Sequence, residues 1–189
     1  MGFLDAILGR RTPVKPDLDR LFAVPSAAIT LQVSAGFRPT GVGSVCYRAN
    51  EGAAFATMEG DVQRLLDADD GPAVERVTDD FGFTWLVCRQ EPSAVSDLVT
   101  ELHAVNRALE DAGFGTSLLC SLVAFEHNDG RRLGLVYLYK QGTFYPFAPT
   151  GGQMRDNALE LQVRGLLAND LSVESDLGRW MAVWGAPGL

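Results

Sequence analysis

Two long apolar runs separated by a turn sequence constrain the fold of this chain more than any other feature. The runs span residues 118–126 and 131–140, and the turn sequence between them is Asn128-Asp129-Gly130, which strongly favours a β-hairpin. Apolar residues occupy both odd and even positions of each run, whereas a strand with one face in water would alternate apolar and polar residues. We therefore predict two central strands of a sheet that is covered on both faces.

Local patterns elsewhere in the chain predict further strands and helices. Short apolar runs bounded by glycine, proline and aspartate indicate strands over residues 28–34, 44–48, 74–78 and 83–89, with a loop over residues 36–43. Apolar stripes at helical spacing indicate helices over residues 52–67, 92–112 and 153–168. These segments would surround the central hairpin.

Proline and charge positions predict two details of the helices. A short helix opened by Pro16 is expected to end at Pro25, because proline cannot continue a helix from its interior. In the last helix, Glu160 and Arg164 stand four residues apart and are expected to form an outward-facing ion pair.

The order of these elements predicts an α+β domain. Hairpins separated by helices build a largely antiparallel sheet, here from about three hairpins, because parallel strands would need a helix after every strand. With the helices packed on the sheet, this arrangement resembles the α+β domains of secretion chaperones. The 189 residues, of which 47% are hydrophobic, suffice for one such core. We predict one domain over residues 16–189 with a C-terminal helical tail, preceded by an amphipathic segment over residues 1–15.

Composition argues against several functional classes. The net charge of −8 and the absence of a basic stripe make a nucleic-acid partner unexpected. The cysteines Cys46, Cys88 and Cys120 lie singly in apolar runs, which indicates free thiols in a reducing cytoplasm. Neither a secretory signal nor a run of roughly 18 apolar residues is visible, so we expect a soluble cytoplasmic protein.

The sequence carries no recognisable catalytic, cofactor or metal motif. The two histidines, His103 and His127, have no second histidine at helical spacing, and the acidic cluster at residues 67–70 suits a solvated helix end. The triplet at residues 80–82 spells the magnesium motif of kinases, but the other kinase motifs are missing. We therefore expect a protein that is not an enzyme, with no catalytic, cofactor-binding or metal-binding residue.

The opening residues have the pattern of a helix that binds a surface. Phe3, Leu4, Ile7 and Leu8 share one helical face, and basic residues follow directly. This pattern suits a short helix that lies on a membrane through residues 1–11 or docks into a groove of a partner. A terminal helix packed on its own domain would have the same pattern, and its short length makes it marginal in isolation.

Aromatic residues in the second half of the chain form another candidate surface. Trp180 and Trp184 share one face of a short predicted helix, and tryptophan side chains both anchor interfaces and close cores. Tyr145 and Phe147 belong to an aromatic segment, residues 143–149, that is predicted to be a loop. This loop would either line a ligand cleft or cover an edge of the sheet.

Four stretches of the chain together resemble a known family. They are residues 1–10, the run PDLDRLFAVPSAA at residues 16–28, and residues 133–149 and 155–184. These stretches are similar to the PspA-associated protein PspAB family. The resemblance implies a cytoplasmic accessory of the phage-shock, envelope-stress system that associates with the membrane-remodelling coiled-coil protein PspA and, as a further partner, with a membrane-bound zinc protease. No functional residues are established for that family, so the resemblance assigns no residue a role.

Two functional hypotheses follow from the sequence. The first is a non-catalytic accessory that binds PspA at the cytoplasmic face of the membrane through the opening apolar residues and the aromatic residues just described. The alternative is a small-molecule sensor or enzyme with a cleft near residues 143–149, using Tyr145, Arg155 and His103 as polar groups. The alternative requires these three side chains to converge on one pocket.

Overall fold

A computed structural model describes residues 16–49, 53–66 and 73–189 of the chain. The predicted N-terminal surface of Phe3, Leu4, Ile7 and Leu8 lies outside the described residues and stays a prediction. The acidic cluster at residues 67–70 also lies outside them.

A six-stranded antiparallel sheet forms the centre of the described structure. Its strands are β1 (Phe37–Tyr47), β2 (Glu75–Thr78), β3 (Thr84–Arg89), β4 (Leu118–His127), β5 (Arg132–Leu138) and β6 (Thr143–Phe147). Their order is β2-β3-β1-β4-β5-β6, and every neighbouring pair is antiparallel. Within the described ranges, β2-β3, β4-β5 and β5-β6 are hairpins. The predicted α+β fold with a largely antiparallel sheet is therefore confirmed.

Helices and a small second sheet complete the described structure. The helices are α1 (Val24–Ala35), α2 (Ala53–Leu66), α3 (Val95–Asp111) and α4 (Asn157–Leu166), with 3₁₀ turns at Leu18–Ala23, Phe114–Thr116 and Leu177–Arg179. The small sheet pairs β7 (Pro149–Gly151) with β8 (Met154–Arg155). The three long helices predicted from apolar stripes correspond to α2, α3 and α4, so those predictions are confirmed.

Helix α1 occupies the segment for which a strand was predicted, so the strand over residues 28–34 is wrong. The predicted short helix after Pro16 corresponds to the 3₁₀ turn at Leu18–Ala23, which ends just before Pro25. Pro25 itself lies in the first turn of α1, where its missing N–H leaves no hydrogen bond unmade, so it also begins a second helix. The buried residues of α1 recur at helical spacing; they are Val24, Ala27, Ala28 and Leu31. A short apolar window of this kind fits both the two-residue period of a strand and the 3.6-residue period of a helix, and here tertiary packing favours the helix.

Strand β1 takes up all but the first residue of the predicted loop over residues 36–43, so that prediction is also wrong. Glycine and proline usually interrupt strands, but the pairing of β1 with β4 has an irregularity between Pro39 and Gly43 that accommodates them. Gly41 has φ +78°, and a Cβ built there would lie 2.0 Å from the carbonyl oxygen of Gln90. Glycine is therefore required at this position by both its backbone angle and its neighbour.

The sheet carries a hydrophobic core on each face. On one face, helices α1, α3 and α4 pack on the sheet through residues such as Leu31, Leu102 and Val163. On the other face, side chains from β1, β3, β4, β5 and β6 pack against Trp180 and Ala186 of the C-terminal residues. The prediction that β4 and β5 are central strands covered on both faces is confirmed.

The C-terminal residues run across the second face of the sheet without forming the predicted helix. The helical part is limited to the 3₁₀ turn at Leu177–Arg179, and glycines with φ of +76° and +90° follow at positions 185 and 188. We call residues 180–189 the C-terminal strap. It replaces a layer of helices on this side of the sheet.

The aromatic segment at residues 143–149 is a strand for most of its length, so the predicted loop is wrong. The backbone N–H of Phe144 donates to Ser172, and its carbonyl accepts from Glu174, so residues 172–174 cover the outer edge of β6. Pro146 stands two residues after Phe144, so its nitrogen faces the same outer edge of β6 and faces away from β5. Proline has no N–H to donate, and at this position the pairing with β5 loses no hydrogen bond.

Candidate functional site

A cavity of about 330 Å³ lies between the second face of the sheet and the C-terminal strap. Cys46, Cys120 and Trp85 line it from the sheet, and Trp184 lines it from the strap. Its volume lies near the lower end of the range of small-molecule sites, about 300–1,000 Å³, which are also mainly apolar with a few polar groups. The cavity is therefore large enough for a small ligand.

Strand register explains why this space is empty of side chains. Cys46 on β1 stands directly opposite Trp85 on β3 and directly opposite Cys120 on β4, so the three residues form one row across the sheet. Side chains in such a row point to the same face. The two cysteine side chains are short, and the strap passes above them without filling the space that they leave.

The hydroxyl of Tyr145 connects the sheet to the strap beside the cavity. It donates a hydrogen bond of 2.8 Å to the carbonyl oxygen of Met181. Burial raises the pKa of Tyr145, and a hydrogen bond to Cys120 together with burial raises the pKa of Cys46. Both groups are therefore protonated at neutral pH, and a protonated thiol is a poor nucleophile. These groups suit binding better than proton transfer.

Two charged side chains border the mouth of the cavity and differ in how they are compensated. The carboxylate of Asp79 accepts hydrogen bonds from the indole N–H of Trp85 at 2.8 Å and from the backbone N–H groups of Phe81 and Phe83 at 2.9 Å. The guanidinium of Arg48 lies 5.5 Å from the ring centre of Phe83. Arg48 has no ion pair within the described part of the chain.

Comparison with known proteins identifies the family. A family model described as PspAB, PspA associated protein B, matches residues 1–188. The chain belongs to the PspAB family. The resemblance drawn from four stretches of the sequence is thereby confirmed, and the family name states an association with PspA, which is consistent with an accessory role.

The other comparisons give no match for this PspAB member. Neither the curated proteins nor the solved structures contain a significant match. The likeness to secretion chaperones therefore stays a prediction, although the α+β class itself is confirmed.

The structure places the aromatic residues predicted to bind a partner in and beside the cavity. Tyr145 and Trp184 line it, while Phe147 packs edge-on against Trp184 with ring centres 4.9 Å apart and Trp180 stacks near Tyr145 at 5.9 Å. Tyr145, Phe147 and Trp180 are buried, and Trp184 is partly exposed. Tyr145 and Phe147 are buried on the sheet, and Trp180 is a buried residue of the strap itself, so a partner would reach them only if the strap moved away from the sheet. Their role in binding a partner stays a prediction.

The three polar side chains of the enzyme alternative do not converge. His103 lies on α3, on the opposite side of the sheet, with its Nε2 3.2 Å from a carboxylate oxygen of Asp19. Arg155 binds Glu160 and donates to the carbonyl oxygen of Trp180 at 2.8 Å. Tyr145 alone reaches the cavity.

Glu160 faces inward, so the predicted outward pair with Arg164 is wrong. Its side chain is buried and accepts hydrogen bonds from the Nε of Arg155 at 2.9 and 3.0 Å and from the backbone N–H of Ala148 at 2.9 Å. Helical spacing suggested Arg164 as a partner, whereas the small β7-β8 sheet brings Arg155 closer. A buried carboxylate needs such donors to replace the water that it loses.

Several residues around the cavity were not recognised from the sequence as a group. Cys46, Cys120 and Trp85 were assigned to strands, but the strand order that makes them neighbours is a long-range feature. Among the described residues, no group of three or more His, Cys, Asp or Glu side chains could hold a metal ion. None of the described helices combines the length and apolar character needed to cross a membrane.

Proposed function

We propose that this chain is a non-catalytic accessory protein of the envelope-stress (phage-shock) response that binds PspA at the cytoplasmic face of the membrane. The observation that carries the proposal is the family match over residues 1–188, since its description states association with PspA. In this proposal, residues 1–11 contribute contact with the membrane. A membrane-bound zinc protease is a further proposed partner, on the sequence resemblance alone.

The outer face of α1 offers a surface for PspA within the described structure. Ile29 and Val33 stand one helical turn apart and are 67% and 81% exposed, while the opposite side of α1 is buried in the core. Phe22, also exposed, precedes Ile29 by seven residues and lies in the 3₁₀ turn that leads into α1. Exposed apolar side chains at helical spacing suit packing against a helix of a coiled-coil partner.

Co-elution with PspA tests this proposal. The full chain and the PspA homologue from the same organism are mixed at tens of micromolar and separated by size-exclusion chromatography with light scattering. We expect a joint peak, and we expect Ile29→Asp with Val33→Asp to weaken the complex at least tenfold. Leu161→Asp on α4 is the matched control, because Leu161 is also an exposed apolar helix residue. Separate peaks, both alone and with anionic vesicles, would refute the proposal.

A second candidate function, binding of a small molecule, is supported by the cavity between the sheet and the strap. Tyr145 borders it, as the ligand hypothesis for residues 143–149 requires. The enzyme form of that hypothesis has less support, because Arg155 and His103 lie elsewhere.

A further inference from the structure

The mouth of the cavity combines exposed apolar side chains with one negative charge, Asp79, and one positive charge, Arg48. Phe81 and Met181 line the cavity and are both largely exposed, which places apolar surface where a ligand would enter. Asp79 already accepts three hydrogen bonds, so it has little capacity left for a ligand. Arg48 has no carboxylate partner in the described ranges and keeps its donors available.

The interior of the cavity offers little to a polar ligand or to water. Cys46 and Cys120 stand directly opposite each other and offer only two thiols, which are weak hydrogen-bonding groups, and the hydroxyl of Tyr145 already donates to the strap. The remaining lining is dominated by aromatic and aliphatic side chains, including Trp85 and Trp184. Water in an apolar cavity lacks the two to four polar partners that stabilise it, so a hydrocarbon group is the better occupant.

We propose that this cavity binds a hydrocarbon chain that carries an anionic head group, as in a fatty acid. The chain lies between the cysteine row of the sheet and Trp184 of the strap, and the head group binds the guanidinium of Arg48. Arginine binds carboxylate and phosphate groups through two parallel N–H donors, so both head groups fit this chemistry. The proposal rests on the second candidate function above and is independent of PspA binding.

Titration of the full chain with decanoate, octanoate and decanol tests the proposal. Binding is followed by calorimetry and by tryptophan fluorescence, because Trp85 and Trp184 both line the cavity. We expect saturable binding of one decanoate per chain. Each additional buried methylene strengthens binding about fourfold, so octanoate is expected to bind about 16-fold more weakly than decanoate.

Variants at the mouth separate the head group from the tail. Arg48→Gln is expected to weaken decanoate binding about tenfold while changing decanol binding less than twofold. Arg38→Gln is the matched control, since Arg38 is an exposed arginine near the other end of β1 and does not line the cavity. Equal decanoate affinity in Arg48→Gln and the unaltered chain would overturn the assignment of the head group.

A variant that fills the cavity tests the location of the tail. Cys120→Leu adds volume directly above the sheet and is expected to reduce decanoate binding at least tenfold, with its melting temperature recorded to establish that it folds. Should that variant fail to fold, Ala182→Leu on the strap makes the same test, because Ala182 is exposed and also lines the cavity. Absence of saturable decanoate binding, or unchanged binding in a folded filled variant, would overturn the proposal.

Vesicles distinguish a free fatty acid from a membrane lipid as the source of the ligand. Decanoate binding in solution without binding to phosphatidylglycerol vesicles supports a free acid, whereas loss of vesicle binding in Arg48→Gln supports a lipid. Because PspA is absent from these titrations, failure to form the PspA complex would leave their result unchanged. Failure to bind decanoate would likewise leave the test of the PspA complex unchanged.

Discussion

Replacement of Arg155 by methionine is expected to lower the free energy of unfolding by about 3 kcal/mol. The Arg155 side chain donates to both carboxylate oxygens of Glu160, at 2.9 and 3.0 Å, and to the carbonyl oxygen of Trp180 at 2.8 Å. Its guanidinium also lies 5.0 Å from the ring centre of Phe147. Methionine replaces the apolar stem of the arginine side chain and removes every donor, so the charge of Glu160 loses its partner while the apolar packing of the stem is kept.

The magnitude follows from the burial of the two side chains. Removing one member of a buried ion pair costs about 3–5 kcal/mol, because the remaining charge is left uncompensated. The Glu160 side chain is 3% exposed, which supports a value in this range, but the Arg155 side chain is 20% exposed and the N–H of Ala148 still binds Glu160. Both facts reduce the cost toward the lower limit. A loss of about 3 kcal/mol is a large part of a typical stability of roughly 5–15 kcal/mol.

Urea unfolding monitored by tryptophan fluorescence measures this loss by linear extrapolation. Arg179→Met is the matched control: Arg179 faces Glu174, which is 4% exposed, but at 3.5 Å and with 35% of its own side chain exposed. Because the Glu174 carboxylate keeps hydrogen bonds from the hydroxyl of Thr143 and the backbone N–H of Asp176, we expect a smaller loss, about 1 kcal/mol. The double variant Arg155→Met with Glu160→Gln is expected to regain about 1–2 kcal/mol, because the amide carries no charge. Equal losses in the two single variants would refute the reasoning.

Three further predictions concern pH, backbone geometry and thiol reactivity. Burial raises the pKa of Tyr137 to about 12, against about 10 in the unfolded chain. The stability that the protonated tyrosine contributes is therefore lost as pH rises from about 10 to about 12, at about 1.4 kcal/mol per pH unit. A free energy of unfolding in urea that stays constant over this interval would contradict the prediction. Gly41→Ala brings a Cβ against Gln90 and is expected to lower the free energy of unfolding by about 2 kcal/mol or more. Gly82→Ala, whose Cβ meets nothing within 4 Å, is expected to lower it by about 1 kcal/mol. Equal melting temperatures of the two variants would count against this prediction. Burial also raises the pKa of Cys88, so iodoacetamide at neutral pH is expected to modify it only after unfolding, and rapid labelling of the native protein would contradict the buried position.

Elements with a long or strongly punctuated pattern could be predicted from the sequence. The β4-β5 hairpin has its Asn-Asp-Gly turn and two apolar runs, and α3 has an apolar stripe over several turns, so local signals were sufficient. The strand predicted in the α1 segment was wrong because a window of seven residues fits the period of a strand as well as that of a helix, and because proline is found next to either end of a helix. Glu160 failed because its partner, Arg155, lies on a different element.

The candidate site was less predictable than the fold. Tyr145 and Trp184 were selected because aromatic residues often lie in binding surfaces, and both line the cavity. Arg48 and the cysteine row could not be connected to them, because β1 lies between β3 and β4 in the sheet although β3 follows it in the chain.

By itself the sequence determined the α+β class, the long helices, the central hairpin and the family to which the chain belongs. These depend on periodicity and turn residues within short windows, or on similarity along the whole chain. Only the tertiary structure decided the strand order, the covering of the second face by the C-terminal strap, and the cavity between them. The physical reason is that strand register and the packing of distant segments arise from long-range contacts, which no local pattern of residues specifies.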